Sequence, residues 1–204
     1  MYRRALLGMG LALPASAQGF AFLPEAAWLP LLRAGGLNLY FRHAITDRSQ
    51  VDTGRRGDRA GQRNLSEAGR QQAIRLGQAI RALNIPVDEV LTSEVFRALD
   101  TAELAFGRAQ IRVERDLIAD DYTPGNASDD ARATSRRLAQ PVAGGNRILV
   151  GHIVPLGMIL GRGLAQQEFP EGAAGVFRPR GTDWEFLGFL RAEQLIQAAG
   201  MAPG

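Results

Sequence analysis

The sequence predicts an α/β domain of three layers: an open, mostly parallel sheet with helices on both faces. Short, predominantly apolar runs at 37–41 (LNLYF), 87–92 (VDEVLT) and 146–150 (NRILV) have the length of strands buried between helices. Helical patterns alternate with the strands, strand then helix, four times over. No internal repeat and no second domain is visible in the 204 residues, a length that supports one core.

Taken in order, PEAAWLPLLRAGG reads as a short helix with Glu25 in its first turn and Gly35-Gly36 at its end. LNLYF follows as a strand. Residues 44–63, rich in Arg, Asp and Gly, read as a long loop. A strong helix covers 66–83: Ser66 is its N-cap, and Ala73, Leu76, Ile80 and Leu83 share one face. After Pro86 come the strand VDEVLT, a helix across SEVFRALDTAELAF stopped by Gly107, and the strand AQIRV. A polar segment, ERDLIADDYTPGN, leads to a helix over DDARATSRRLAQ. NRILV runs into Gly151-His152, and IVPLGMILGRGL continues as helix. GVFRP and TDWEFLGFL are candidate strands, in which Trp184, Phe186 and Phe189 pack; LRAEQLIQAAG closes as a short helix.

The N-terminus, MYRRALLGMGLALPASAQG, has the form of an export signal. Arg3 and Arg4 make a basic start, residues 5–13 are apolar, and Ala15-Ser16-Ala17 suits a signal peptidase. The sequence therefore divides into a signal at 1–17 and a single domain at 18–204, exported to the periplasm or beyond by a twin-arginine or general secretory route. The apolar stretch is too short for stable membrane insertion, unless an uncleaved signal serves as a tether. Cleavage would leave 22 arginines against 21 acidic residues, a balance that gives no basic surface for nucleic acid. The chain has no cysteine and no lysine, which excludes disulfides, thiolate nucleophiles, lysine Schiff bases and P-loop phosphate binding.

Only two histidines occur, and both follow strands: His43 after LNLYF and His152 after NRILVG. In an open α/β sheet the carboxyl ends of strands line the ligand crevice. Arg42 adjoins His43, and Arg97 lies in the first turns of the helix after the second strand. Arginine offers a fixed fork of donors to phosphoryl oxygens, and neutral imidazole can attack phosphorus. Two arginines and two histidines could therefore bind and transfer a phosphoryl group with no metal or cofactor. Flanking arginines repel cations, which disfavours a metal site built on the histidines. Arg48, Arg55, Arg56, Arg59 and Arg63 in the loop either rim the pocket for anionic substrates or form a solvated surface.

YFRHA resembles the Arg-His-Gly signature of the histidine phosphatase superfamily, which includes the phosphoglycerate mutases. LTSEVFRALDTAELAFG is similar to its second signature, built around a phosphate-binding arginine, and ILVGHIVPLGMILG to its third. QRNLSEAGRQQAIRLGQAIRAL resembles the family's first helix. The resemblance spans roughly 36–165 and implies a phosphoglycerate mutase-like fold. It implies His43 as the nucleophile that becomes phosphohistidine, Arg42 and Arg97 as the phosphate clamp, and His152 as a further phosphate ligand. It also places Thr46 where a hydroxyl contacts phosphate.

The chain departs from the family pattern in places. Ala44 replaces the usual glycine, Ser49 stands near the asparagine expected of mutases, and Ile153 replaces the aspartate of acid phosphatases. A general acid after the third strand is expected in mutase-like members; Asp121 is the first candidate, then Asp120, with Glu114 also in the region. The small phosphohistidine phosphatases need no such acid, and the compact span from Arg97 to His152 resembles theirs. The implied activity is metal-independent hydrolysis of a phosphorylated small molecule or phosphoprotein. The alternative is a weakly catalytic or non-catalytic protein that binds a phosphorylated or anionic ligand. The sequence leaves the oligomeric state open.

Overall fold

The computed structural model describes residues 21–202, so the expected signal lies outside the described residues. Six strands form one sheet: β1 (Asn38–Arg42), β2 (Val87–Thr92), β3 (Ile111–Val113), β4 (Asn146–Gly151), β5 (Ala174–Pro179) and β6 (Trp184–Leu190). Their order is β3-β2-β4-β1-β5-β6. The first four are parallel to one another, whereas β5 is antiparallel to β1, and β6 to β5. The expected α/β sheet is thus present, mixed at the edge where the tail adds its two strands.

Side-chain alternation along the strands sorts the helices into two layers. Leu39, Phe41, Val90, Ile148 and Val150 face one side, where they meet Trp28 and Leu32 of α1 (Glu25–Ala34) and Leu76 and Ile80 of α2 (Glu67–Ala82). The same layer holds Ala98 and Ala102 of α3 (Phe96–Phe106) and Leu195 of α6 (Ala192–Ala198). Tyr40, Leu91, Leu149 and Phe177 face the other side, against Leu138 of α4 (Ala127–Ala139) and Leu156 of α5 (Ile153–Ile159). Each fully buried Leu or Ile contributes about 1.5–3 kcal/mol. The aromatic residues of the last strand pack as expected: the Trp184 ring lies edge-on to Phe177, and Phe186 sits 4.9 Å from Phe189.

Local chemistry sets the helix ends. The Ser66 hydroxyl accepts the Gly69 N–H at 3.1 Å, as its N-cap reading requires. In α4, Asp129 and Asp130 occupy the first turn and Arg136 and Arg137 the last, complementing the helix dipole. Three expectations need correction. The helix expected from Ser93 begins at Phe96, because Ser93 turns its hydroxyl to the Val95 N–H and to His152. The helix expected through residue 164 ends at Ile159, where Gly161 takes a left-handed φ of 74°. The segment after β3, read as polar, buries Leu117, Ile118 and Tyr122 through two short 3-10 turns.

At the opposite end of the sheet, Asn146 is fully buried. It accepts the Leu37 N–H and donates to the Leu32 and Pro86 carbonyls, tying α1, the entry to β1 and the entry to β2 to β4. Replacing it leaves those backbone groups without partners in an apolar setting. Asn146→Ala is expected to lower unfolding free energy by about 1–3 kcal/mol in urea titration; an unchanged midpoint would contradict this accounting.

Candidate active site

Strand register brings the two histidines together. Arg42 pairs with Gly151 across the β1–β4 ladder, so His43 and His152 each follow the paired residues by one position. Their rings lie 5.5 Å apart, centroid to centroid, and both are almost completely buried. On the far side of β4, Thr92 pairs with Val150, which puts Ser93 level with Gly151, one position before His152, and Arg97 one helical turn further on.

Each ring is held so that its useful nitrogen is defined. The His43 Nδ1 lies 2.9 Å from the Ala44 carbonyl. A carbonyl can only accept, so the proton sits on Nδ1 and the lone pair on Nε2. The Ala44 N–H donates to Thr101 Oγ1, and that hydroxyl donates to the Arg97 carbonyl, binding the His43 segment to α3. His152 Nε2 lies 3.0 Å from Ser93 Oγ, whose acceptor side receives the Val95 N–H. When the serine proton goes to Nε2, the His152 proton is on Nδ1, a buried atom with no hydrogen-bond partner among the described residues.

Tyr40 fixes the backbone beneath His152. Its hydroxyl donates to the His152 carbonyl at 3.0 Å and accepts the His152 N–H at 2.9 Å. That hydroxyl lies 2.3 Å from where a Cβ on residue 151 would stand, which explains glycine before the histidine.

Four guanidinium or imidazole nitrogens with no partner converge here: Nε of Arg42, Arg63 and Arg97, and Nδ1 of His152. Arg42 is buried; its Nη1 donates to Gln166 Oε1 and the Phe169 carbonyl. Burial lowers its pKa to about 10, and it remains charged at neutral pH. Arg97 is buried beside Asp52, with Nη1 2.9 Å from Oδ1. Both histidines are held well below the usual imidazole range, first by burial and next by the charge of Arg97; Arg42 adds to both effects and Arg63 to that on His43. They are neutral at physiological pH. The arrangement suits a tetrahedral anion: cationic donors neutralise its oxygens while a neutral imidazole faces its centre.

Of the remaining residues singled out in the sequence, Thr46 is buried at the same edge, but its hydroxyl donates to Glu171 at 2.7 Å. Asp121 is exposed, whereas Asp120 is half-buried, with its pKa raised by burial first and then by Asp121, against the pull of Arg97. Glu114 is engaged by Arg112 and Arg137 at the sheet edge. The loop arginines divide: Arg48 pairs with Glu171, Arg56 with Glu94, and Arg59 forks onto Asp100.

Two residues at the site, Asp52 and Glu171, were not singled out in the sequence, and Arg63 was named only among the five loop arginines. Asp52 accepts from Arg97, from the Tyr122 hydroxyl at 2.6 Å and from the Arg63 N–H at 3.0 Å. Burial raises its pKa, but these donors outweigh burial and hold the carboxylate below its usual range. Arg63, one of five loop arginines, turns inward. Glu171 lies 3.8 Å from Arg42 and binds both Thr46 and Arg48. No periodicity signals such loop residues. Among the described residues, no group of three or more His, Asp or Glu is disposed to hold a metal ion.

The chain is similar to proteins of known family and structure. A family model described as the histidine phosphatase superfamily (branch 1) matches residues 39–122, a span containing Arg42, His43, Arg97 and Asp120. A mutant phosphoserine phosphatase from Entamoeba histolytica in complex with phosphoserine is 13% identical with a TM-score of 0.55, covering 78% of this chain and 98% of that one. The α-ribazole phosphatase from Shigella flexneri is 16% identical with a TM-score of 0.54, covering 76% and 96%. The protein histidine phosphatase SixA complexed with tungstate is 13% identical with a TM-score of 0.53, covering 78% and 99%. At such identities the likeness to these structures is one of fold. No curated protein matches the chain.

The Asp52–Arg97 pair makes opposite predictions for two substitutions. Asp52→Asn keeps an acceptor for Arg97 and removes a negative charge beside the anion site, so inorganic phosphate is expected to bind more tightly, by up to about tenfold. Asp52→Ala also removes the acceptor that orients Arg97 and is expected to bind phosphate less tightly than Asp52→Asn. Calorimetric titration distinguishes the two, and equal affinities in both variants would contradict an orienting role.

Proposed function

We propose that the chain, whose residues 39–122 match the histidine phosphatase superfamily model, is a metal-independent phosphatase acting on a phosphate monoester or phosphohistidine, with His43 as nucleophile. The observation that carries this reading is the neutral His43 ring, its Nε2 lone pair free, beside three inward guanidinium groups. Arg42, Arg97 and Arg63 take the non-bridging oxygens, and His152 donates from Nδ1. Nε2 of His43 attacks phosphorus, an N–P bond forms and the bond to the leaving group breaks. The leaving oxygen takes a proton, for which half-buried Asp120 is better suited than exposed Asp121. With a phosphohistidine substrate the leaving imidazole needs less help from an acid. Water then attacks the phosphohistidine, the N–P bond breaks, and phosphate leaves with His43 restored.

The relatives act, by their names, on phosphoserine, α-ribazole phosphate or protein phosphohistidine, and that range supports a phosphorylated small molecule or phosphoprotein as substrate. The export reading rests on the sequence of residues 1–17 and puts the substrate outside the cytoplasm. Among the described residues, no helix is long and apolar enough to cross a membrane.

A phosphate-release screen over monoesters and phosphohistidine, repeated with His43→Ala, tests the proposal. The variant is expected to lose about a thousandfold or more in turnover while melting like the parent. Unchanged turnover in His43→Ala would refute the nucleophile. Tight phosphate binding with no release from any substrate would favour a binding protein instead.

A further inference from the structure

A pocket of about 400 Å³ opens between α5 and residues 162–166, lined by Ile153, Val154, Met158, Arg162, Leu164 and Gln166. Resting on the phosphatase reading, we propose that this pocket receives the leaving group, and that the preferred substrate is a phosphate monoester of an apolar phenol or alcohol.

Position is the first argument. Ile153 directly follows His152, and Gln166 accepts a hydrogen bond from Arg42 Nη1 at 2.7 Å. One wall of the pocket therefore belongs to a residue that also holds the phosphate clamp. A phosphorus atom between the histidines would have its ester oxygen within reach of a group seated on α5.

The chemistry of the walls is the second. Four of those residues are aliphatic or thioether side chains. Gln166 directs its carbonyl to Arg42, and Arg162 is paired with Glu168 at 2.6 Å, so neither polar residue offers an uncommitted charge. Large hydrophobic residues are seldom exposed among the described residues. Val154 and Met158, each 42% exposed, are two of the four that are, and both line this one concavity. Beyond Met158 the surface turns polar at Ser128, Arg132 and Ser135, which bounds the apolar stretch. A charged cleft adjoined through Ile153 and Gln166 by an apolar pocket of this size matches an amphipathic ligand. A sugar or amino-acid phosphate would lay hydroxyl or charged groups against walls that are mostly apolar.

The test compares phenyl phosphate with 4-butylphenyl phosphate, whose phenols leave with nearly equal ease, so that kcat/KM reads pocket contact rather than bond reactivity. The full chain is expected to favour the butyl compound by about tenfold or more. Val154→Asp and Met158→Asp, each with thermal melting as a folding control, are expected to collapse that ratio towards unity. Val154 is the second residue of α5, where an aspartate suits the helix start. No preference in the parent protein would overturn the pocket assignment while leaving the phosphatase intact. A preference that persists in both variants would place its origin elsewhere and overturn it equally. Failure of both esters together with phosphohistidine would overturn the underlying phosphatase reading, and the pocket with it.

Discussion

The register between β1 and β4 is the constraint on which the rest of the site depends. Arg42 opposite Gly151 sets His43 beside His152, and the His43 N–H donating to the Gly151 carbonyl carries the ladder one step past the strand ends. A slip of one residue would exchange the faces of Leu39, Tyr40 and Phe41 and bury the wrong side chains against the helices. Core packing and site assembly thus use the same alignment. Tyr40 joins them: its ring lies in the hydrophobic layer beneath α4 and α5, and its hydroxyl holds both backbone polar groups of His152. Burial pushes that phenol's pKa up, which keeps it a neutral donor.

Electrostatics then decide what the paired rings can do. Imidazoles in water near neutral pH are partly protonated, and a protonated ring has no lone pair for attack. Here burial and neighbouring guanidinium groups act in one direction and keep both rings neutral. Those guanidinium groups are the ones disposed to gather a dianion, so the neutrality of the rings and the attraction of an anion share a cause. Asp52 tempers the arrangement by pairing with Arg97, and Tyr122 and the Arg63 backbone hold that carboxylate in turn. The Tyr122 phenol is pushed up to about 12, by burial first and Asp52 second, and so stays a donor.

Much of this was legible in the sequence because it follows from local patterns. All six strands and four of the helices lie within a residue or two of where apolar runs, Pro86, Ser66 and the glycine stops put them. The two histidines and Arg97 were found because strand ends and helix starts are marked by composition, and an α/β sheet makes those places adjacent. What escaped depends on contacts between distant residues. Glu171 reaches Thr46 across 125 positions, and Asp52 reaches Arg97 from a loop without periodicity. Of five loop arginines, charge alone could not tell Arg63, turned inward, from Arg59, forked onto Asp100 over the Phe96 ring. Asp120 and Asp121 are neighbours of the same type, and only the burial of the 3-10 turn separates them. Leu117, Ile118 and Tyr122 were obscured by the charged residues around them.

The central claim is that the neutral His43 ring takes the phosphoryl group before water does. Rapid acid-free quenching during turnover of an aryl phosphate, followed by peptide mapping, measures this most directly. The account predicts a phosphoryl group on the peptide containing His43, stable in base and lost in acid. Steady turnover with no label at His43, or with the label on His152, would contradict it.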